Sequence, residues 1–124
     1  MNRPETDFAL AVHGGAGTIP RNAARKSRAR LYHQGLRRAL AAGRRLLVAG
    51  GSAVDAVTEA VVVLEDDPLF NAGRGSVFTA LRTQEMDASV MDGRDCRAGA
   101  VAGVLGPRNP VLAARAVMER SPHV

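Results

Sequence analysis

Tryptophan is absent, tyrosine occurs once, phenylalanine three times and cysteine once among the 124 residues. With aromatics at 3% and hydrophobic residues at 46%, a packed core is expected, but one built from Ala, Val and Leu, which fill space only where elements approach closely. The single cysteine, Cys96, excludes an internal disulfide and a cysteine-based metal cluster, and fits a reducing cytoplasm. Long hydrophobic runs are missing too. Residues 1–7 are mostly polar and lead into a short apolar run, Phe8 to Val12, which is too short for a signal-peptide core or a membrane span. The expected location is the cytoplasm, with no membrane partner. No internal repeat or low-complexity segment is present, and the length suits one domain rather than two.

Lysine is nearly absent as well. Lys26 is the only one, so the formal charge of +5 rests on arginine. Nine of the 17 basic residues fall between Arg21 and Arg45, which concentrates the excess. One reading is a basic α/β module that binds nucleic acid through Arg21–Arg45. Patterning argues against it. A helix is expected over roughly Ala24 to Ala49, with Tyr32, Leu36, Ala39, Leu40, Gly43 and Leu47 on one side at the helical spacing of about 3.6 residues. Arg30, Arg37, Arg38, Arg44 and Arg45 fall mostly on the other side, so the cluster reads as a solvated face.

Gly50-Gly51 ends this helix and Ser52 caps the next, with Asp55 as a short capping-box acid. Val54, Val57, Thr58, Val61 and Leu64 mark its buried stripe, Glu65 sits at the polar edge, and Pro68 stops it. Leu69 to Gly75 should be an ordered loop. Phe8 to Val12 reads as a short buried strand. Met86 to Met91 and Ala98 to Val104 read as two more strands, an antiparallel pair joined through Asp92-Gly93. Leu105 to Arg108 turns the chain, and Asn109 caps a third helix with Pro110 in its first turn, running to about Arg120. The fold class is α/β (α+β), with three helices and about three strands. One sheet face is left short of cover.

Two glycine-bearing segments are the chemical candidates. His13-Gly-Gly-Ala-Gly17 follows a strand pattern and offers bare backbone N–H groups to an anion or an oxyanion, although a plain structural turn explains it equally well. Asn71-Ala-Gly-Arg-Gly75 presents an amide beside two glycines, and turn geometry alone also favours Asn there. Asp87, Asp92 and Asp95 do not read as a metal site, because Asp87 and Asp92 lie five apart on a strand and point to opposite faces. His13, His33 and His123 have no ligand spacing, and Cys96 has no evident base.

In order along the chain stand His13-Gly-Gly-Ala-Gly17, Pro68-Leu-Phe-Asn-Ala-Gly73, Met86-Asp-Ala-Ser-Val-Met-Asp-Gly93, Ala98-Gly-Ala-Val-Ala-Gly103 and Arg108-Asn-Pro-Val-Leu-Ala-Ala-Arg115. This series resembles the plant-type L-asparaginase/isoaspartyl peptidase family of N-terminal-nucleophile hydrolases, over about Ala9 to Val124. The resemblance implies a partial αββα sandwich. It also implies an enzyme made as one polypeptide that cuts itself before a threonine, whose freed amino group and hydroxyl attack the amide of L-asparagine or of a β-aspartyl dipeptide. Complete members assemble as a dimer of heterodimers.

By the same resemblance, residues 1–124 are an incomplete α portion, and the partner they need is the C-terminal (β) portion. The nucleophile is expected in that portion, since Thr18, Thr58, Thr79 and Thr83 do not match it. Supporting roles fall to Asn71, which matches the asparagine orienting the threonine, and to Gly14 and Gly15, which match the glycine loop beside it. The carbonyls of Leu64, Glu65, Asp67, Phe70, Ala72 and Arg74 match a loop that wraps a sodium ion in some members, and no other cofactor is implied. Arg74 stands where an apolar or aromatic residue is common, Asp66-Asp67 is more acidic than usual, and the first helix is richer in arginine.

Overall fold

A computed structural model describes residues 7–15 and 25–123. The elements run α1 (Arg25–Val48), α2 (Ala53–Asp66), a single 3-10 turn (Gly73–Gly75), β1 (Met86–Met91), β2 (Ala98–Val104) and α3 (Pro110–Arg120). Ala16, Gly17, Thr18, Arg21 and Ala24, which carry parts of the expectations above, lie outside the described residues.

The sidedness expected of α1 holds at every position. Ala39 and Gly43 are buried and Tyr32, Leu36, Leu40 and Leu47 half-buried, while Arg30, Arg37, Arg38, Arg44 and Arg45 are exposed. Gly50 closes the helix at φ +84°, and its N–H bonds the carbonyl of Leu47. α2 starts on Ser52, whose hydroxyl accepts the Asp55 N–H at 3.0 Å and donates to the Asp55 carboxylate at 2.7 Å. Asp55 thus answers the Ser52 cap through the serine hydroxyl, within the reach of its short side chain.

The stripe of α2 is wider than the sequence suggested. Val54, Ala56, Thr58, Ala60, Leu64 and Glu65 are buried, whereas Val57 is 39% exposed. The cause is position: α2 lies between α1, where Ala60 and Leu64 pack with Ala39 and Phe70, and the layer of β1 and α3, where Val54 packs with Val90, Ala114 and Met118. A helix covered from two sides buries more than one stripe. Glu65, placed at the polar edge from its type, instead faces the start of α3 and is 2% exposed.

β1 and β2 pair antiparallel, with Ala88 opposite Val101 and Met91 opposite Ala98. Between Met86 and Ala88 the register slips by one residue. Gly103, at φ +61°, takes the extra place, and Asp87 Oδ1 accepts its N–H at 2.7 Å. The link between the strands is longer than Asp92-Gly93. It closes on an Asp92 N–H to Arg97 carbonyl bond of 2.8 Å. Ala88, Val90 and Val101 face α2 and α3, while Ser89, Met91, Ala100 and Ala102 on the other side are exposed.

Phe8 to Val12 is not a strand: the ladder consists of β1 and β2 alone among the described residues, so the run has no neighbour to pair with. Leu10 approaches Gly43 of α1 and Val12 packs against the Ala39–Phe70 core, while Phe8, Ala9 and Ala11 are exposed. Asn109 also departs from expectation. It is the N-cap of α3, yet its side chain makes no capping bond and donates from Nδ2 to Asp66 at 3.2 Å. Three helices and a two-stranded antiparallel sheet are consistent with part of an αββα sandwich.

Candidate functional site

Phe70 holds the site together. It is 4% exposed, and Tyr32 meets its ring edge-on at 5.6 Å and 80°. Gly35 of α1 lies so near that a Cβ there would stand 2.6 Å from Cε2 of the ring. On another side, a Cβ at Gly14 would stand 2.8 Å from Cε1. The absence of side chains at two glycines, one in the His13 turn and one in α1, makes room for one aromatic ring. The turn and the Asn71 loop, remote in sequence, are therefore in contact.

The loop from Asp67 to Ser76 is ordered by its own polar groups. Asp67, nearly buried, spends Oδ2 on Arg38 at 2.6 Å and Oδ1 on the Leu69 N–H at 3.0 Å. The Phe70, Ala72, Gly75 and Ser76 N–H groups bond the carbonyls of Asp67, Phe70, Ala72 and Gly73 in turn. The buried Ser76 hydroxyl donates to the Gly73 carbonyl at 2.7 Å, and Gln84 holds the Ser76 carbonyl at 2.7 Å. Sequence reasoning passed over both Arg38–Asp67 and the clasp on Phe70. The one available signal was a lone aromatic in a chain that has four.

Asn71 is exposed, and its Oδ1 accepts the Val77 N–H at 2.9 Å. An N–H partner fixes which end of the amide is oxygen. What remains for a ligand or a reacting group is the Nδ2 donor. In the glycine turn, His13 Nδ1 accepts the Gly15 N–H at 3.2 Å, and Gly15 stands at φ +97°. One of the two backbone donors expected of this turn is thereby committed to its own histidine.

The six carbonyls of the cation reading run from the last turn of α2, with Leu64 and Glu65, into the same loop. Those of Leu64, Asp67, Phe70 and Ala72 each accept one backbone N–H and keep a second lone pair. A Cβ at Gly73 would fall 2.5 Å from the Glu65 carbonyl oxygen, and one at Gly75 would collide with that of Phe70. Only glycines let this backbone fold so closely over its own oxygens, and an all-oxygen, neutral donor set suits a hard cation. Side chains supply no rival: no group of three or more His, Cys, Asp or Glu residues stands close enough for a metal among the described residues.

Charge around the site is set by the turn that leads into α3. Arg108 grips both oxygens of Asp66, at 2.9 and 3.0 Å, and with the Asn109 amide holds that carboxyl below its usual range. Glu65 moves the other way: burial raises it, although the Val111 N–H and Asn109 oppose the shift.

Among the described residues, Thr58, Thr79 and Thr83 stand apart from the glycine turn and from Asn71 in their bonding. Thr58 is buried inside α2, and its hydroxyl has no partner among the described residues. Thr79 and Thr83 bond each other at 2.8 Å, closing the loop before β1. Cys96 is exposed on the β1–β2 turn, and His33 and His123 are exposed elsewhere. No helix among the described residues is long and apolar enough to cross a membrane.

A family model described as asparaginase matches residues 6–124. The isoaspartyl peptidase of Escherichia coli is 56% identical over 115 residues, which cover 93% of this chain and 36% of that protein. The isoaspartyl peptidase/L-asparaginase of Homo sapiens is 55% identical over 92% of this chain and 36% of its own length. The plant-type L-asparaginase of Pyrococcus furiosus is 53% identical, over 94% and 36% respectively. The chain thus spans little more than a third of the length of these relatives. By the family match and these identities, it belongs to the plant-type L-asparaginase/isoaspartyl peptidase family of N-terminal-nucleophile hydrolases.

Proposed function

We propose that residues 1–124 are the first part of the α portion of a self-cleaving amidohydrolase acting on L-asparagine, β-aspartyl (isoaspartyl) peptides, or both. In this reading the chain carries support for the chemistry, and the nucleophilic threonine belongs to a C-terminal portion corresponding to the rest of the relatives' length. The observation that carries it is the contact of Gly14 with Phe70, the residue before Asn71. Two motifs that the family resemblance assigns to one site are neighbours in space.

The chemistry assigned to each residue follows from what it has left to give. Asn71, with Oδ1 held by Val77, offers Nδ2 to the threonine hydroxyl oxygen and so orients it for attack. An N-terminal threonine is its own base through its α-amino group, so the chain need supply no histidine or carboxylate to activate it. Gly14 and Gly15 would lie beside the nucleophile through their backbone, since the Cβ position of Gly14 is taken by the Phe70 ring.

The carbonyls of Leu64, Glu65, Asp67, Phe70, Ala72 and Arg74 would hold a sodium ion. When bound, it would stiffen the loop that presents Asn71, and carry no step of the reaction. A backbone ligand tolerates the arginine at position 74. Assembly with the C-terminal portion, and as a dimer of such pairs, belongs to the same reading.

The test is turnover by the isolated chain. It should release no ammonia from L-asparagine and no free aspartate from a β-aspartyl dipeptide. Turnover by the chain alone would overturn the proposal.

A further inference from the structure

Among the described residues, Glu65 is the carboxylate buried where α2, α3 and the Asn71 loop meet. Its Oε1 accepts the N–H of Val111, in the first turn of α3, at 3.0 Å. That turn has no side-chain cap of its own, because Asn109 reaches Asp66 instead. The carboxylate of one helix therefore does the capping of another. On its other side Glu65 is the floor of the loop: Gly73, buried and at φ +50°, lies over its carbonyl and within 2.6 Å, measured from an added Cβ, of the Glu65 Cβ. Gly73 in turn is held to Ser76 by two bonds, and Asn71 to Val77 by one. An unbroken path of contacts runs from the first turn of α3 through Glu65 to the Asn71 amide.

We infer that Glu65 is the positioning residue of the Asn71 loop, acting by the reach of its side chain from α2 to the Val111 N–H. This rests on the reading of Asn71 as the orienting group and deepens it. Oε2 is buried without a partner among the described residues, so only one oxygen is needed for the role, and a carboxylate's charge is not. Reach and charge are therefore separable. Glu65→Gln keeps the length and an acceptor oxygen. Glu65→Asp keeps the charge and shortens the arm by one methylene, and Glu65→Ala removes the arm.

The experiment is amide hydrogen exchange on this chain, independent of any activity, so the inference can fail while the functional proposal stands, and the reverse. The reporters are the Gly75, Ser76 and Val77 N–H groups, against Val63 inside α2. Wild type and Glu65→Gln should protect the three loop amides within about threefold of each other, while Glu65→Asp and Glu65→Ala should exchange them about tenfold faster with Val63 little changed. Arg108→Ala, which breaks the exposed clasp between the same two helices, should leave the loop amides as in wild type.

Should Glu65→Ala not fold, the contrast of Gln with Asp still decides. Protection that follows charge (Asp like wild type, Gln loosened) overturns the inference. So does a loss in Arg108→Ala equal to that in Glu65→Asp, which would make the role one of helix docking alone.

Discussion

Gly14 and Phe70 are in such close contact that a single added carbon at the glycine would stand 2.8 Å from the ring. Gly35 confines the opposite edge of that ring, and Tyr32 closes a further side. Phe70 is thus the piece around which the glycine turn, α1 and the Asn71 loop are assembled, and removing it should cost about 3–5 kcal/mol.

The sign of a Gly35→Ala substitution tests this clasp. Alanine favours a helix interior by about 1 kcal/mol over glycine, so Gly35→Ala would ordinarily stabilise α1. Here the new methyl meets Phe70 Cε2 at 2.6 Å and Asp67 Oδ2 at 2.9 Å. Overpacking of this kind costs about 1–3 kcal/mol, so Gly35→Ala should lower stability in urea unfolding. In a Phe70→Ala background the same change should become neutral or stabilising. A loss of equal size in both backgrounds would show that the ring is not what Gly35 accommodates.

Arg38 and Asp67 should respond unequally. Asp67 is nearly buried and bonds Arg38 and the Leu69 N–H, whereas Arg38 is 58% exposed. Asp67→Ala strips both partners and should cost about 1–3 kcal/mol by denaturant unfolding. Arg38→Ala leaves Asp67 with water access along the vacated surface and should cost less, about 0.5–1 kcal/mol after solvent screening.

Acid should weaken the β1–β2 turn through Asp92. Asp92 is held at about 2 by the Arg94 side chain and backbone N–H, below its ordinary 3.8. Asp55 is lowered too, by Ser52 and Arg115. A depressed carboxyl contributes fully above its unfolded value and loses that contribution as pH falls toward the folded one. The stability gap between wild type and Asp92→Asn should accordingly be constant above about pH 5 and shrink between pH 4 and about 2. A gap that widens with acid would contradict the assignment to Asp92.

Much of this architecture is legible in the residues. Ser52, Asp55, Gly50 and Pro110 fix helix ends through chemistry local to each, the alternation of Met86 to Met91 marks β1, and the Ala/Gly/Val run Ala98 to Val104 after the Asp92-Gly93 turn marks β2. What escaped depends on distant partners. Phe8 to Val12 has the composition of a strand, but pairing requires a neighbour, and none of the described residues provides one. Glu65 has the type of a surface residue, and only the arrival of α3 buries it. For the site, the glycine turn and Asn71 were visible as motifs. The Phe70 clasp and Arg38–Asp67 bring together residues far apart in the chain, and no local signal announces such a meeting.

The most direct test of the whole account is ammonia release from L-asparagine by this chain combined with a polypeptide covering the remainder of a relative such as the Escherichia coli isoaspartyl peptidase. Neither piece should be active by itself, the combination should turn over, and Asn71→Ala in this chain should abolish turnover while leaving its thermal unfolding within a few degrees. Reconstituted activity indifferent to Asn71→Ala would contradict the role given to the loop.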